Sequence, residues 1–270
     1  YSKWVDKNKI ITTNIWSSEL SKLSANAFLA QRISSINSIS AICEKTGADI
    51  KEVSKAIGAD NRIGDKFLRS GPGFGGSCFQ KDLLNLIYLC DFYNLPEVSQ
   101  YWEGVIQINN WQKHRISRLV VEKLFGTLNG KKIAILGFAF KANTNDTRES
   151  PSIFICNDLL EEGAKLHIHD PQVQEAQIIQ EFEEHCFNNS KKPGYGSLEF
   201  CKNLDKVIKD ANAVIIVTEW EEYSSIDWQE KEKIMLKPAW LFDTRLVSNS
   251  KSLEKTNITY WRLGNKINED

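Results

Sequence analysis

One cysteine of this chain lies in a setting that could support covalent chemistry. Residues 70–82 read SGPGFGGSCFQKD, so Cys78 follows four glycines and is followed by Lys81 and Asp82. Dense glycine is typical of backbone that adopts positive φ or approaches a ligand closely. If a helix begins at Phe79, Cys78 lies at its N-terminus, where the helix dipole favours a thiolate, and Asp82 lies about one turn away. The segment therefore predicts a reactive thiol, with a buried cysteine beside a tight turn as the alternative.

A second pair of polar residues lies on a long predicted helix. Lys22 and Asn26 are four residues apart, which places them on one helix face, close to its apolar stripe. A half-buried lysine there would suit an anion or an oxyanion. The alternative is a solvated lysine at the edge of the stripe.

The composition indicates a globular protein that acts on small molecules. With 270 residues the chain can form a buried core and two domains. Its 34 basic and 35 acidic residues are scattered and nearly cancel, so neither a nucleic-acid nor a membrane surface is indicated. Six cysteines without a CxxC pair and four histidines without ligand spacing predict reduced thiols and no metal site. Without a long apolar run or a signal-peptide core, we expect a cytoplasmic protein.

Hydrophobic periodicity divides the chain into a helical half and an alternating half. Apolar spacings of three and four predict helices over residues 17–45, 49–57, 79–93 and 96–122. Short apolar runs at 131–136, 165–169, 213–218, 239–242 and 258–261 predict buried strands separated by helices. The predicted fold class is α/β, with a mainly helical domain followed by a doubly wound parallel sheet of Rossmann-like type. The polar stretch 181–197 is expected to be a surface loop.

Ligands of doubly wound sheets bind beyond the carboxyl ends of the strands, which here are residues 137–141, Asp170, 218–220 and 243–245. Residues 137–151 follow a strand and precede a helix, so this loop could bind phosphate through Lys141 and backbone N–H groups. The dinucleotide fingerprint, GxGxxG between a strand and a helix, is not found.

Several segments carry a family resemblance. Residues 17–26 (SSELSKLSAN), 73–82 (GFGGSCFQKD) and 137–150 (GFAFK followed by DTRES) resemble, in order and spacing, the UDP-glucose 6-dehydrogenase family in its eukaryotic form. The resemblance covers nearly the whole chain. That family begins with an NAD-binding domain bearing GxGxxG, and this chain, which does not begin with Met, is expected to start after it. The expected parts are a linker (1–16), a central helical dimerisation domain with the cysteine loop (17–126) and a UDP-binding Rossmann-like domain (127–270).

The resemblance implies NAD-dependent oxidation of UDP-glucose to UDP-glucuronate in two steps. Cys78 would add to the aldehyde as thiolate, the thiohemiacetal would lose a second hydride, and water would hydrolyse the thioester. Lys22 would steady the oxyanion, while Asp82 with Asn26 would place the water. The implied substrate-binding residues are Lys22, Asn26, Arg62, Arg69, Gly71, Gly73, Phe74, Gly75, Phe140, Lys141 and Arg245, and those facing NAD are Cys78, Lys81 and Arg148. Arg62 is expected to reach a neighbouring subunit's substrate site, which implies a homo-oligomer.

Two other functions stay open at the level of sequence. The chain alone could be a module that binds UDP-sugars and assembles without catalysing anything. The enzyme could also act on GDP-mannose or a UDP-N-acetyl sugar, although the segment Ser-Cys-Phe-Gln-Lys-Asp favours UDP-glucose. The expected ligands are UDP-glucose and NAD, with no nucleic-acid or membrane partner.

Overall fold

The computed structural model describes residues 1–186 and 194–266, with backbone only at 185 and 186. The longer helices are α1 (Ile15–Thr46), α2 (Ile50–Gly58), α3 (Phe79–Phe92), α4 (Pro96–Lys123), α5 (Pro151–Glu161) and α6 (Glu175–Cys186). Four short helices are α7 (Leu204–Ile208), α8 (Glu221–Ser224), α9 (Trp228–Glu232) and α10 (Ser250–Leu253). The strands are β1 (Lys132–Leu136), β2 (Lys165–His169), β3 (Ser197–Phe200), β4 (Ala213–Ile216), β5 (Trp240–Asp243) and β6 (Thr259–Arg262).

The four helices predicted in the first half are confirmed, and local capping sets their ends. Helix α1 begins where the Asn14 side chain accepts the Ser17 N–H, and it ends at Gly47, which adopts a φ of 81°. Asp49 caps α2 by accepting the N–H groups of Lys51 and Glu52. Among the described residues, no helix is both long enough and apolar enough to cross a membrane.

The described strands form one parallel sheet in the order β3-β2-β1-β4-β5-β6. This confirms the doubly wound α/β fold, with the reversal of strand order between β1 and β4. All five predicted strands are present, but the prediction of a surface loop over 181–197 is wrong at both ends. Helix α6 extends to Cys186 and β3 begins at Ser197, while residues 187–193 lie outside the described residues. Strand β3 lies at the edge of the described sheet, paired with β2, and only two of its four residues, Leu198 and Phe200, are apolar, so its signal is short.

Helix α4 is shared between the helical part and the sheet. Val105, in its first half, is buried with Ala27 of α1 and Leu83 of α3. Ile116 and Val120, in its second half, belong to the buried core of the sheet. Burying a side chain of this size stabilises a fold by about 2 kcal/mol. A single helix therefore joins the two parts through apolar packing.

Two loops make a second junction between these parts. The glycine loop, residues 71–78, contacts the loop of residues 137–150 that follows β1, and the Gly76 N–H donates to the Arg148 carbonyl at 2.8 Å. A Cβ atom on Gly75 would overlap the carbonyl oxygen of Glu149. A Cβ on Gly76, whose φ is 82°, would stand 3.1 Å from the Phe140 ring. These glycines are required because the two backbones touch.

Asp170 organises the carboxyl edge of the sheet. One of its carboxylate oxygens accepts the backbone N–H groups of Phe138 and Ala139 and the indole N–H of Trp220. The other accepts the N–H groups of Gln172 and Val173. This buried carboxylate therefore ties the ends of β1, β2 and β4 together.

We expect Gly75→Ala to lower the free energy of unfolding by about 2 kcal/mol, because the new methyl group must separate the two loops. Gly104→Ala is the matched control. Gly104 lies in α4 with no heavy atom within 4 Å of its Cβ position, so alanine should stabilise the helix by about 0.5–1 kcal/mol. Urea denaturation measures both variants, and equal effects would contradict the close contact.

Asp170→Asn should lower the free energy of unfolding by about 3 kcal/mol, because an amide cannot accept from all the buried donors that the carboxylate serves. Asp205→Asn is the control, since the Asp205 carboxylate is 64% exposed and pairs with Lys231 at the surface. The free energy of unfolding of Asp205→Asn should differ from that of the native chain by less than about 1 kcal/mol. Similar midpoints in urea for both variants would show that Asp170 does not organise this edge.

Candidate active site around Cys78

Cys78 lies where the sequence places it, at the N-terminus of α3. It is the N-cap residue of that helix, and its carbonyl accepts the Asp82 N–H at 2.9 Å. The Cys78 side chain is exposed, whereas Cys43, Cys90 and Cys156 are buried. Burial raises the pKa of the Cys43 and Cys90 thiols, which makes them poorer nucleophiles at neutral pH. The alternative of a buried structural cysteine is therefore wrong for Cys78.

Asp82, one turn into α3, collects the two polar side chains of α1. The Lys22 ammonium lies 3.2 Å from Asp82 Oδ2, and the Asn26 side-chain amide donates to the same oxygen at 2.5 Å. The Asp82 side chain is only 10% exposed, but that of Lys22 is 67% exposed. The expectation of a half-buried lysine is thus corrected: Lys22 lies at the helix edge with its head group turned to Asp82. An open cleft of about 480 Å³ between α1 and α3 adjoins Lys22.

Buried amide side chains hold the glycine loop in place. Asn37 of α1 accepts the Gly71 N–H at 2.9 Å, and Gln112 of α4 donates to the Gly71 carbonyl at 2.8 Å. Asn109 of α4 accepts the Phe74 N–H and donates to the Phe74 carbonyl. The sequence reasoning missed all three residues. A signal existed, because Asn109 and Gln112 fall between Val105 and Ile116 at helical spacing on the buried face of α4.

Phe74 and Gly73 serve packing in this structure. The Phe74 ring is buried in the core of the helical part and meets the Phe79 ring edge-on, with centroids 5.7 Å apart. Gly73 adopts a φ of 123°, and a Cβ there would stand 2.9 Å from Asn109 Oδ1. The expectation that the Phe74 side chain lines a ligand is therefore corrected, since apolar burial takes it inward.

Arg245 brings the edge of the sheet to the glycine loop. It donates through Nε to the Val217 carbonyl at 2.6 Å and through Nη2 to the Phe140 carbonyl at 3.1 Å. Its Nη1 atom lies 3.1 Å from the Cβ position of Gly71, so a side chain there would press on the guanidinium. Arg69 donates to the Arg245 carbonyl at 2.9 Å.

A cavity of about 370 Å³ lies beside Arg69. It is lined by Lys51 and Lys55 of α2 as well as by Arg69, with Asp65 as the acidic group of its lining. The excess of positive charge suits an anion.

The backbone N–H groups at the start of the loop after β1 are not free for a phosphate. The N–H groups of Phe138 and Ala139 donate to Asp170, and that of Phe140 donates to the Asp146 carbonyl. The Lys141 ammonium is exposed and lies 5.2 Å from the Phe140 ring centroid. Phosphate binding by Lys141 and other N–H groups of this loop stays a prediction.

The sheet has the strand order of dinucleotide-binding domains, but its residues do not fit a dinucleotide. An acidic side chain near the end of the second strand normally binds ribose, and here Asp170 is fully engaged. The crevice between β1 and β4 is closed, since Thr218 donates to the Ala139 carbonyl and a Cβ on Gly137 would overlap Thr218. Residues 71–76 read GPGFGG and so have GxGxxG spacing, but no strand precedes them and they pack against α1 and α4.

Cations at the rim of the Cys78 site fit an anionic ligand better. Arg148 is 64% exposed and donates to the Asp146 carboxylate at 2.7 Å. The Asp146 carboxylate chiefly raises the pKa of Arg148, so the guanidinium keeps its positive charge. Lys81, three residues beyond Cys78, is also exposed.

Arg62 is directed outward. Its side chain is 89% exposed and pairs with Asp60 of the same turn. Arg32 of α1 supports this segment by donating to the carbonyls of Ile63 and Gly64. Arg62 is therefore not part of the cluster around Cys78 within one chain.

Comparisons with known proteins agree with this architecture. A UDP-glucose 6-dehydrogenase of Drosophila melanogaster is 50% identical over 266 residues, covering 98% of this chain and 56% of that protein. Its counterpart in Gallus gallus is 54% identical over 254 residues, covering 92% of this chain and 50% of that protein. The solved structure of a UDP-glucose dehydrogenase from Pyrobaculum islandicum superposes with a TM-score of 0.74 at 28% identity, covering 92% of this chain and 50% of that one. The chain thus spans about half the length of the relatives it matches.

Family assignment follows from two matches along the chain. Residues 16–111 match the central domain of the UDP-glucose/GDP-mannose dehydrogenase family. Residues 134–250 match its UDP-binding domain. These ranges contain the cysteine loop and the sheet edge, respectively, and we conclude that the chain belongs to the UDP-glucose/GDP-mannose dehydrogenase family.

Proposed function

We propose that this chain supplies the covalent catalysis and the sugar-nucleotide site of an NAD-dependent UDP-glucose 6-dehydrogenase, which oxidises UDP-glucose to UDP-glucuronate. The observation that carries the proposal is the exposed Cys78 thiol at the start of α3, one turn from an Asp82 carboxylate held by Lys22 and Asn26. Residues 17–126 form the central part in this proposal and residues 127–270 the UDP-binding part.

Cys78 is the nucleophile of the proposed reaction. Its thiolate adds to the C6 carbonyl carbon of the aldehyde, and the electron pair of the C=O bond moves to the oxygen. The Lys22 side chain is long and exposed, so its ammonium can turn from Asp82 towards that oxygen and stabilise its negative charge. NAD, when bound, accepts a hydride in each of the two oxidations.

Asp82 acts in the hydrolysis of the thioester. Asn26 holds one carboxylate oxygen, and the carboxylate takes a proton from the attacking water. The C–S bond then breaks and Cys78 leaves as thiolate, ready for another cycle. Lys81 and Arg148 at the rim are the residues of this chain that would face the dinucleotide.

The sugar nucleotide lies between the glycine loop and the carboxyl edge of the sheet in this proposal. Lys141 and Arg69 are exposed cations on the two sides of that junction, and Arg245 supports both. A diphosphate with two negative charges is attracted to such a pair.

We further propose that the protein works as a homo-oligomer. Large aromatic side chains are exposed on α1, α3 and α4, among them Phe28, Tyr88, Phe92 and Tyr101. Exposed apolar surface of this extent is typical of a subunit interface. Arg62, exposed on its turn, is suited to enter the substrate site of a second copy.

A binding module without activity is the second candidate for the chain by itself. The observation that favours it is the sheet edge, where Asp170 and Thr218 occupy the positions that a dinucleotide would need. Capture of the C6 aldehyde by Cys78 distinguishes the two functions, because a module that only binds would form no covalent adduct.

We expect the 270-residue chain to bind UDP and UDP-glucose by calorimetry, and to bind GDP-mannose at least about tenfold more weakly. Lys141→Ala should weaken UDP binding about tenfold through loss of a charge-assisted contact. The control is Lys165→Ala, since Lys165 is exposed at the opposite end of the sheet.

NADH should not form when NAD and UDP-glucose are both supplied. Equal affinity for UDP and GDP-mannose would refute the substrate assignment, and NADH formation would refute the placement of the dinucleotide site.

Cys78 should capture the C6 aldehyde of UDP-glucose without any NAD. With the aldehyde carbon ¹³C-labelled, NMR should show a thiohemiacetal in the native chain and none in Cys78→Ser, because a hydroxyl is not activated as a thiolate is. Iodoacetamide should also modify Cys78 faster than the partly buried Cys201, and UDP-glucose should slow the reaction. An aldehyde adduct in Cys78→Ser, or equal labelling of the two cysteines, would show that Cys78 is not the nucleophile.

A further inference from the structure

Helix α4 carries a lysine that the proposed reaction does not use. The Lys113 side chain is fully buried, and its ammonium has no hydrogen-bond partner in the described part of the chain. The ammonium lies 3.9 Å from Glu149 Oε2 and 3.7 Å from the centre of the Phe154 ring. The Lys113 Cγ atom lies 3.2 Å from the Cβ position of Gly73. One side chain thus touches the glycine loop, the loop after β1 and helix α5.

A buried charge in this position is costly, so its partner matters. A lone ammonium in an apolar interior is strongly disfavoured, and Lys113 has only an aromatic face and one carboxylate to offset the loss of water. Glu149 Oε2 is likewise buried and without a hydrogen bond. Each group is therefore the main electrostatic partner of the other. Burial lowers the pKa of Lys113 to about 8, and Glu149 opposes that shift.

Glu149 is directly connected to the loop of Cys78. It adopts a φ of 53°, in the left-handed region, and its carbonyl group faces Gly75. The preceding carbonyl, that of Arg148, accepts the Gly76 N–H at 2.8 Å. The conformation of residues 148–149 thus decides whether the Gly76 N–H keeps the Arg148 carbonyl as its hydrogen-bond acceptor. Gly76 lies two residues before Cys78.

We propose that Lys113 is a positioning residue: its buried ammonium holds the Glu149 carboxylate, keeps the Arg148 carbonyl on the Gly76 N–H, and so fixes the loop that carries Cys78. This inference concerns the same loop as the proposed reaction but does not rest on that reaction.

The charges around Lys113 give the proposal a direction with pH. Glu149 comes from the loop after β1, α5 presents the uncharged Phe154 ring, and the glycine loop presents the backbone of Gly73. The neighbours of Lys113 on α4 have other partners: His114 pairs with Asp158 of α5 at 2.7 Å, and Arg115 pairs with Glu44 of α1 at 2.6 Å.

As the pH rises through about 8, Lys113 loses its proton and releases Glu149, so the Gly76 hydrogen bond weakens. Global stability changes in the opposite sense. The folded-state pKa lies below the ordinary 10.5, so the unfolded chain binds more protons between these values and folding becomes more favourable as the pH rises. A loop that loosens while the whole fold gains stability distinguishes positioning from a general structural role.

Hydrogen exchange of the Gly76 amide tests the proposal on the chain without any ligand. The rate is measured by ¹⁵N NMR at pH 7 and pH 9 and divided by the rate of an unstructured chain at the same pH. We expect the protection of Gly76 to fall about tenfold between these values, the loss expected for one charge-assisted contact. The Gly137 amide, which donates to the His169 carbonyl within the sheet, is the internal reference and should not change.

Two substitutions separate charge from shape. Lys113→Met should give low Gly76 protection at both pH values, because it leaves the Glu149 carboxylate without its charge partner. Glu149→Gln should lower the protection of the Gly76 amide to the same extent, because it removes the negative charge of the pair. Lys132→Met is the control, since Lys132 is another lysine whose pKa burial lowers, at the opposite end of β1, and it should leave Gly76 unchanged.

Lys113→Arg should restore protection at both pH values, because a guanidinium keeps its charge. Native-like protection of Gly76 in Lys113→Met or Glu149→Gln would overturn the proposal, as would protection in the native chain that does not change with pH. Failure of UDP binding would leave these outcomes untouched, so the two proposals can fail separately.

Discussion

The direct contact between two backbones, at Gly75 and Gly76 on one side and Arg148 and Glu149 on the other, is the constraint on which the candidate site depends. No side chain separates the loops there, because a Cβ on Gly75 would overlap the Glu149 carbonyl. The contact joins the element that carries the thiol to the element that follows β1. Glycine is costly in conformational entropy, and here it is needed because any side chain would keep the two backbones apart.

Polar groups buried on the helices give that contact its precision. Asn37, Asn109 and Gln112 satisfy the peptide groups of the glycine loop, so the loop is held without regular secondary structure of its own. These hydrogen bonds specify one arrangement of the loop, although Asn37 Nδ2 is buried without a partner in the described part of the chain. Lys113 differs from its amide neighbours because it has a charge partner but no hydrogen bond.

The carboxyl edge of the sheet differs from that of a dinucleotide-binding domain. Its strand order is that of such domains, yet Asp170 binds the backbone of its own chain and Thr218 closes the gap between β1 and β4. In the proposed function, the sugar nucleotide therefore binds nearer the glycine loop, where Lys141 and Arg69 are exposed. The fold sets the positions of the strand ends, and the side chains at those ends decide what can bind.

Much of the architecture followed from the sequence by itself. Helical spacing and capping residues determined α1 to α4, and β-branched runs determined five of the six described strands, because these signals act over a few neighbouring residues. The position of Cys78 at a helix N-terminus was likewise predictable, whereas only the family resemblance implied that Lys22, Asn26 and Asp82 belong to one site. Strand β3 was not predicted, because only Leu198 and Phe200 of its four residues are apolar and the strand depends on pairing with β2.

Only the tertiary structure decided which polar groups are free. The N–H groups of Phe138 and Ala139, just after β1, are not free for a phosphate, because Asp170, more than thirty residues further on, accepts both. Phe74 turned inward, Lys22 stayed exposed, and Lys113 became buried against Glu149. Local sequence determines which groups can donate or accept. Whether a group is left for a ligand depends on partners distant in sequence, and only the packing of the whole chain brings those partners together.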